Sequence, residues 1–216
     1  MTEIPKLIHQ IWIGPKPIPE FCYDFMMEIK NKHEDLGYIY KFWGNELWEK
    51  YKEDKFIKSY SKDPEKFKYA YISDRFRLLL LRDYGGIYLD ADCKIIKDFD
   101  VILNKLHNNI TYFAAVRRYI NKGATIECGI QGTTKNSRVI QELLNVYQDV
   151  NWACGGKMMS DKMIEIVDTD VALFNYKYFL DNEITEDTVV LHEPFALGSW
   201  RTKHTKPKSK KQCTLE

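Results

Sequence analysis

Residues 70–92, AYISDRFRLLLLRDYGGIYLDAD, decide how this chain is read. From Tyr71 to Tyr84, residues Ile72, Phe76, Leu79, Leu80 and Asp83 recur at helical spacing. Gly85 and Gly86 then allow a tight backbone turn, and Ile87-Tyr88-Leu89 follows as a short apolar, β-prone run. The run ends on two acids, Asp90 and Asp92. A strand leaving a core has a fixed direction, so acids at its end are held in place. Side-chain alternation predicts both carboxylates on one face if the strand continues that far.

Asp-x-Asp spacing alone is a weak signal, because the chain holds three such pairs: Asp90/Asp92, Asp98/Asp100 and Asp168/Asp170. Context selects the first, since only it is organised by a helix, a glycine turn and a strand. Two ionised carboxylates repel a diphosphate unless a cation stands between them. Mg²⁺ or Mn²⁺ takes oxygen ligands from one or two carboxylates plus substrate phosphates, and stabilises a departing diphosphate. These residues therefore point to a metal-dependent enzyme acting on a nucleotide-activated group. Asp74 and Arg77, three apart on the preceding helix, share a face. They read either as a surface ion pair or as donors and acceptors for sugar hydroxyls and phosphate oxygens.

The rest of the chain reads as alternating strands and helices, which predicts an α/β sheet with helices on both faces. Leu7–Ile13 reads as a buried first strand carrying His9 and Gln10, polar groups that need partners there. A helix follows over 19–33, a strand over 38–43, and one amphipathic helix over 46–60. Residues 111–116 read as a core strand and residues 137–150 as a helix. Trp12 and Trp43 stand at strand ends, where an indole can stack on a nucleobase or simply fill the core. Glu127 and Gln131 read as pocket-lining or solvated groups. His192 ends a short apolar strand and stands with Asp90 and Asp92 as a candidate metal ligand, or as a packed histidine. Ser199-Trp200 follows a glycine and can close on a diphosphate.

Taken together, Ile4–Gly14, Ser73-Asp-x-x-Arg77, Tyr84–Asp92 and the late His192…Gly198-Ser-Trp200 resemble the DXD-containing sugar-transferase family. That family takes in yeast initiating mannosyltransferases, bacterial capsular polysaccharide enzymes and the catalytic core of clostridial glucosylating toxins. The resemblance spans roughly residues 4 to 200. It implies one nucleotide-diphospho-sugar-binding domain of GT-A type, with a mixed, mostly parallel sheet, Mn²⁺ or Mg²⁺ dependence and retention of anomeric configuration. By the same resemblance Asp92 binds the metal, and Asp90 binds ribose and sugar or reaches the metal through water. Asp74 and Arg77 hold the donor sugar, Trp12 or Trp43 meets the base, and Ser199 and Trp200 meet the diphosphate. The family's His often sits closer to the Ser-Trp pair than His192 does.

The expected activity is hexose transfer from a nucleotide-diphosphate sugar, UDP favoured over GDP, to a cell-surface, capsular or lipid-linked glycan. A sugar nucleotidyltransferase would call for a Gly-rich, basic phosphate loop, which Gly14-Pro-Lys-Pro17 poorly supplies. A non-catalytic nucleotide- or glycan-binding module is the other alternative. At 216 residues one catalytic domain, residues 1–200, is expected. Residues 201–216 hold six of the 32 basic residues and one of the 31 acids. This tail suits an anionic membrane surface, or serves as a solubilising extension. With no basic patch elsewhere, nucleic acid is not an expected partner. Five scattered cysteines, no spanning apolar run and no signal-peptide pattern predict a reduced, cytoplasmic protein, peripheral at the inner membrane surface at most.

Overall fold

Gly85 and Gly86 adopt left-handed φ angles of 66° and 91°, a region where a Cβ is strained. At Gly86 a Cβ would also lie 2.3 Å from the Leu7 carbonyl oxygen. The pair therefore lets the chain leave a helix and lie directly against the first strand. The computed structural model describes residues 3–61, 68–119, 123–146, 155–179 and 184–192. Its strands are β1 (Leu7–Ile11), β2 (Ile39–Trp43), β3 (Gly86–Leu89), β4 (Cys93–Ile95), β5 (Tyr112–Tyr119), β6 (Gly123–Thr133), β7 (Val171–Asn175) and β8 (Val190–His192). Its helices are α1 (Glu20–Glu34), α2 (Glu46–Lys50), α3 (Lys55–Ser61), α4 (Lys68–Tyr84), α5 (Asp100–Leu103), α6 (Arg138–Val146) and α7 (Gly155–Ile166).

The main sheet has the order β2-β1-β3-β6-β5-β7. Strand β6 runs antiparallel to both neighbours, and the other pairings are parallel. Alternation along β3 separates two cores: Tyr88 packs on one side, Ile87 and Leu89 on the other. The first side is covered by α2, α3, α4, α6 and α7 through residues such as Leu47, Phe56, Phe76, Leu143 and Met163. The second is covered by α1 and α5, through Ile29 and Ile102, and by the small antiparallel sheet of β4 and β8. The architecture is the mixed, mostly parallel α/β sheet that the sequence predicts.

Two local expectations are corrected. The single helix over 46–60 is broken into α2 and α3 at Asp54. One Asp54 oxygen accepts the Ile57 N–H at 3.1 Å, starting α3, while both oxygens bind the buried Arg75 at 3.2 and 2.7 Å. A cap and a tertiary ion pair thus outweigh helical continuity. The β3 strand stops at Leu89 and does not carry alternation through Asp92. A turn closes instead, with Cys93 N–H donating to the Asp90 carbonyl at 3.1 Å.

His9 and Gln10 are fully buried, and both are satisfied. The His9 ring bonds the Gly85 carbonyl through Nε2 at 2.9 Å and accepts the Trp43 indole N–H at Nδ1, 3.0 Å away. Burial lowers the His9 pKa to about 4. Unfolding between pH 6.5 and 4 therefore takes up a proton on His9, and stability falls as pH drops through that window. The expected loss from His9 is at most about 3 kcal/mol. Urea unfolding from pH 7 to 4.5 checks this: the His9→Gln variant should show a shallower decline, and an identical slope in both proteins refutes it.

Candidate active site

The carboxylates meet where β3 ends. The Asp90 N–H donates to the Gly129 carbonyl at 2.8 Å. Its carbonyl accepts from Gln10 Nε2 at 3.1 Å, and Gln10 Oε1 in turn accepts the Tyr40 hydroxyl at 2.8 Å. Gln10 is thus both a satisfied core residue and the group that fixes the backbone of the first acid.

Strand β6 supplies the opposite wall through a β-bulge. Ala114 pairs with Gln131 while the next residue, Ala115, pairs with Glu127, so residues 128–130 are left over. A bulge of this kind bends the strand and frees backbone groups from the ladder. Here the Cys128 carbonyl accepts from Arg77 Nη1 and, at 2.8 Å, from Gln131 Nε2. At Gly129 a Cβ would lie 2.7 Å from Asp90 Oδ2 and 3.0 Å from the His192 ring. The absence of a side chain there is what allows the acid and the imidazole to approach.

Arg77 is 6% exposed and lies among the acids. Its Nη2 is 2.5 Å from Asp74 Oδ1 and 3.2 Å from Asp90 Oδ1, and its guanidinium lies over the Tyr88 ring. The Tyr88 hydroxyl donates to the same Asp90 oxygen at 2.9 Å. Burial raises the cost of an ionised Asp90, but Arg77, His192 and the Tyr88 hydrogen bond outweigh it and hold its pKa below the ordinary value. Arg77 Nε has no hydrogen-bond partner among the described residues.

His192 comes from β8, which pairs with β4. Its Nε2 lies 3.2 Å from Asp92 Oδ1 and 3.6 Å from Asp90 Oδ2. Burial disfavours the imidazolium, yet the hydrogen bond to Asp92 and the two carboxylate charges raise its pKa. Counted formally, Asp74, Asp90, Asp92 and Arg77 sum to −2, or −1 with a protonated His192. A divalent cation offsets that deficit, and carboxylate oxygens with an imidazole nitrogen are suitable ligands for it. Asp92, Cys93 and His192 also place a ligand atom each within 4.8 Å of one another. The residues present therefore fit a divalent ion.

Asp74, Arg77, Asp90, Asp92 and His192 are brought together. Trp43 is not among them: it is buried, stacks on His9 and packs against Tyr84. Trp12 donates from its indole to the Lys16 carbonyl at 2.8 Å, pinning the loop after β1. Gln131 is fully buried and bound to Tyr112, and Glu127 is half-buried. Ser199, Trp200 and the basic tail lie outside the described residues. The other Asp-x-Asp pairs are engaged elsewhere. Asp100 binds Lys6 and Tyr38, and Asp170 binds Arg138 and Thr111. Sequence reading missed Cys93, Tyr88 and Gly129, although the glycine inside an apolar β6 run was a signal of close approach.

Residues 19–110 match the model of the glycosyltransferase sugar-binding region containing the DXD motif. That segment contains Asp74, Arg77, Asp90 and Asp92. Over that segment the chain is similar to the DXD-containing glycosyltransferases. It is 27% identical over 193 residues to the uncharacterized glycosyltransferase L373 of Acanthamoeba polyphaga mimivirus, covering 81% of this chain and 72% of that protein. It is 29% identical over 112 residues to inositol phosphoceramide mannosyltransferase 1 of Schizosaccharomyces pombe, covering 49% of this chain but only 33% of that protein. The fold matches that of the PaToxG glycosyltransferase with a TM-score of 0.59, 22% identity, 76% of this chain and 70% of that one. The fold is of GT-A type.

Removing Arg77 leaves the part-buried Asp74 and Asp90 without its counter-charge. Arg77→Met is expected to cost about 3–5 kcal/mol of stability. Urea unfolding measures it, and a loss below about 1 kcal/mol would contradict the role given to this pair.

Proposed function

We propose that this protein is a metal-dependent, retaining glycosyltransferase that moves a hexose from a nucleotide-diphosphate sugar to a glycan or lipid-linked glycan acceptor. The observation that carries this reading is the convergence of Asp90, Asp92 and His192 within 3.6 Å contacts beside the Asp74–Arg77 pair. Asp92, Asp90 and His192 would hold Mn²⁺ or Mg²⁺. The ion, when bound, supplies positive charge to a departing diphosphate.

The chain's own residues do the rest. Arg77 keeps Asp90 ionised and fixes its carboxylate. Asp74, part-exposed at the end of the ion pair, is placed to accept sugar hydroxyl hydrogen bonds. Gln10 and Gly129 hold Asp90 from two sides through its backbone. Asp74, Asp90 and Asp92 are each engaged with Arg77 or His192, so we read none of the three as a covalent nucleophile. We therefore read the reaction as front-side attack. The acceptor oxygen bonds to the anomeric carbon as its bond to the diphosphate breaks, and the departing diphosphate oxygen takes the hydroxyl proton.

The donor nucleotide to test first is UDP, ahead of GDP. A lipid-linked acceptor accords with the likeness to a mannosyltransferase named for a ceramide acceptor. A basic tail near an anionic surface accords with it too. Among the described residues no helix is long and apolar enough to cross a membrane.

The expected result is a Mn²⁺-dependent rise in thermal stability with one nucleoside diphosphate. It would amount to about 2.7 kcal/mol at a hundredfold excess over Kd. Asp92→Asn should abolish that shift and lower donor turnover at least about a hundredfold. Unchanged, still metal-dependent turnover in Asp92→Asn would sink the reading.

A further inference from the structure

Strands β4 and β8 place Cys93 directly opposite His192. Opposite residues of an antiparallel pair project to the same face. The Cys93 Sγ, a His192 ring nitrogen and an Asp92 carboxylate oxygen consequently lie within 4.8 Å of one another. Tetrahedral zinc bonds sulfur at about 2.3 Å and nitrogen or oxygen at about 2.0–2.2 Å, which sets donor atoms about 3.3–3.6 Å apart, so the three draw together by up to about 1.5 Å around one ion. Cys93 is a free cysteine and fully buried. Its neighbour in the turn, Asp92, is 8% exposed. A hard, oxygen-seeking ion gains nothing from a thiol. Thiolate, imidazole and carboxylate are instead the donors of a thiophilic divalent ion.

We propose that Cys93, Asp92 and His192 form a second coordination mode of this centre, one that captures a thiophilic divalent ion such as Zn²⁺. As the ion binds, the Cys93 thiol proton leaves to solvent and the Sγ–metal bond forms, while the His192 Nε2 proton facing Asp92 leaves to solvent or gives way to the Nδ1–H tautomer. The thiolate and the Asp92 carboxylate then match the charge of the ion, and His192 binds through a neutral ring nitrogen. The sulfur is what separates this mode from the oxygen-rich one, in which Asp90 takes part and Cys93 does not. Because Asp92 and His192 belong to both modes, the two ions exclude each other. That exclusion rests on the metal-dependent reading above; capture of the thiophilic ion does not.

Cadmium is the probe, because a cadmium–thiolate bond gives an ultraviolet charge-transfer absorption that a carboxylate or imidazole does not. The metal-free full chain, reduced, should develop this band on titration with Cd²⁺. Cys93→Ser and Cys93→Ala should remove it, and Cys22→Ser should keep it. Loss of even an outer partner of a metal ligand costs ten- to a hundredfold in affinity, so loss of the sulfur should weaken Cd²⁺ binding at least about tenfold. A wild-type band that persists in both Cys93 variants, or no band at all, overturns the proposal. Should neither Cys93 variant fold, His192→Asn carries the test: its Cd²⁺ affinity must fall at least about tenfold, and an unchanged affinity overturns the site. Competition is read separately by electron paramagnetic resonance of bound Mn²⁺. Zn²⁺ should release Mn²⁺ from the wild type and need at least about tenfold higher concentration in Cys93→Ser. If the wild type binds no Mn²⁺, the hard-metal reading fails while the cadmium band still decides the thiophilic site.

Discussion

The buried guanidinium of Arg77 is the interaction on which the centre depends. It joins the side chain of Asp74 on α4, the carboxylate of Asp90 past β3, and the Cys128 carbonyl of the β6 bulge. Desolvation alone would favour a neutral, protonated Asp90; the adjacent fixed charge makes the ionised form the stable one. A lysine would bring the charge without the planar fork that reaches three acceptors at once. The same side chain therefore sets both the electrostatics of the site and the relative position of three elements.

Much of this was legible in the sequence because it is local. Periodicity marked α4, the glycine pair marked the turn, and the apolar run marked β3, so the identity of the organising Asp-x-Asp pair followed. How the two acids converge was not legible. The sequence suggested alternation along an extended strand, whereas the chain turns after Leu89 with Cys93 N–H bonded back to the Asp90 carbonyl. Choosing between those outcomes depends on Gln10 and Gly129, whose hydrogen bonds to the Asp90 backbone come from other strands.

The remaining misses share that cause. Asp54 breaks the helix over 46–60 because Arg75, on a different helix, binds it. The β6 bulge shows itself only in register against β5. Trp43 reads equally well as a base platform or as core, and its packing against His9 and Tyr84 is decided by tertiary contacts. His192 was grouped with the two acids as a candidate ligand, but nothing in its local sequence fixed its position beside Asp92. Pairing of β8 with β4 supplies that context. Polar residues within apolar strands were the most informative of the ambiguous signals: His9 and Gln10 each turned out to tie the sheet to the glycine turn or to the acid after it.

Strand β8 is three residues long and is held in a two-stranded sheet apart from the main one. Val190 is fully buried in the second core, so packing as well as pairing with β4 docks this short strand. It delivers His192 to acids that belong to the main sheet's edge of the site. Any ion that needs His192 together with Asp90 or Asp92 binds only the docked form, and by mass action it tightens that docking. The imidazole thus works as a latch: occupancy of the centre and closure of this short strand become one equilibrium.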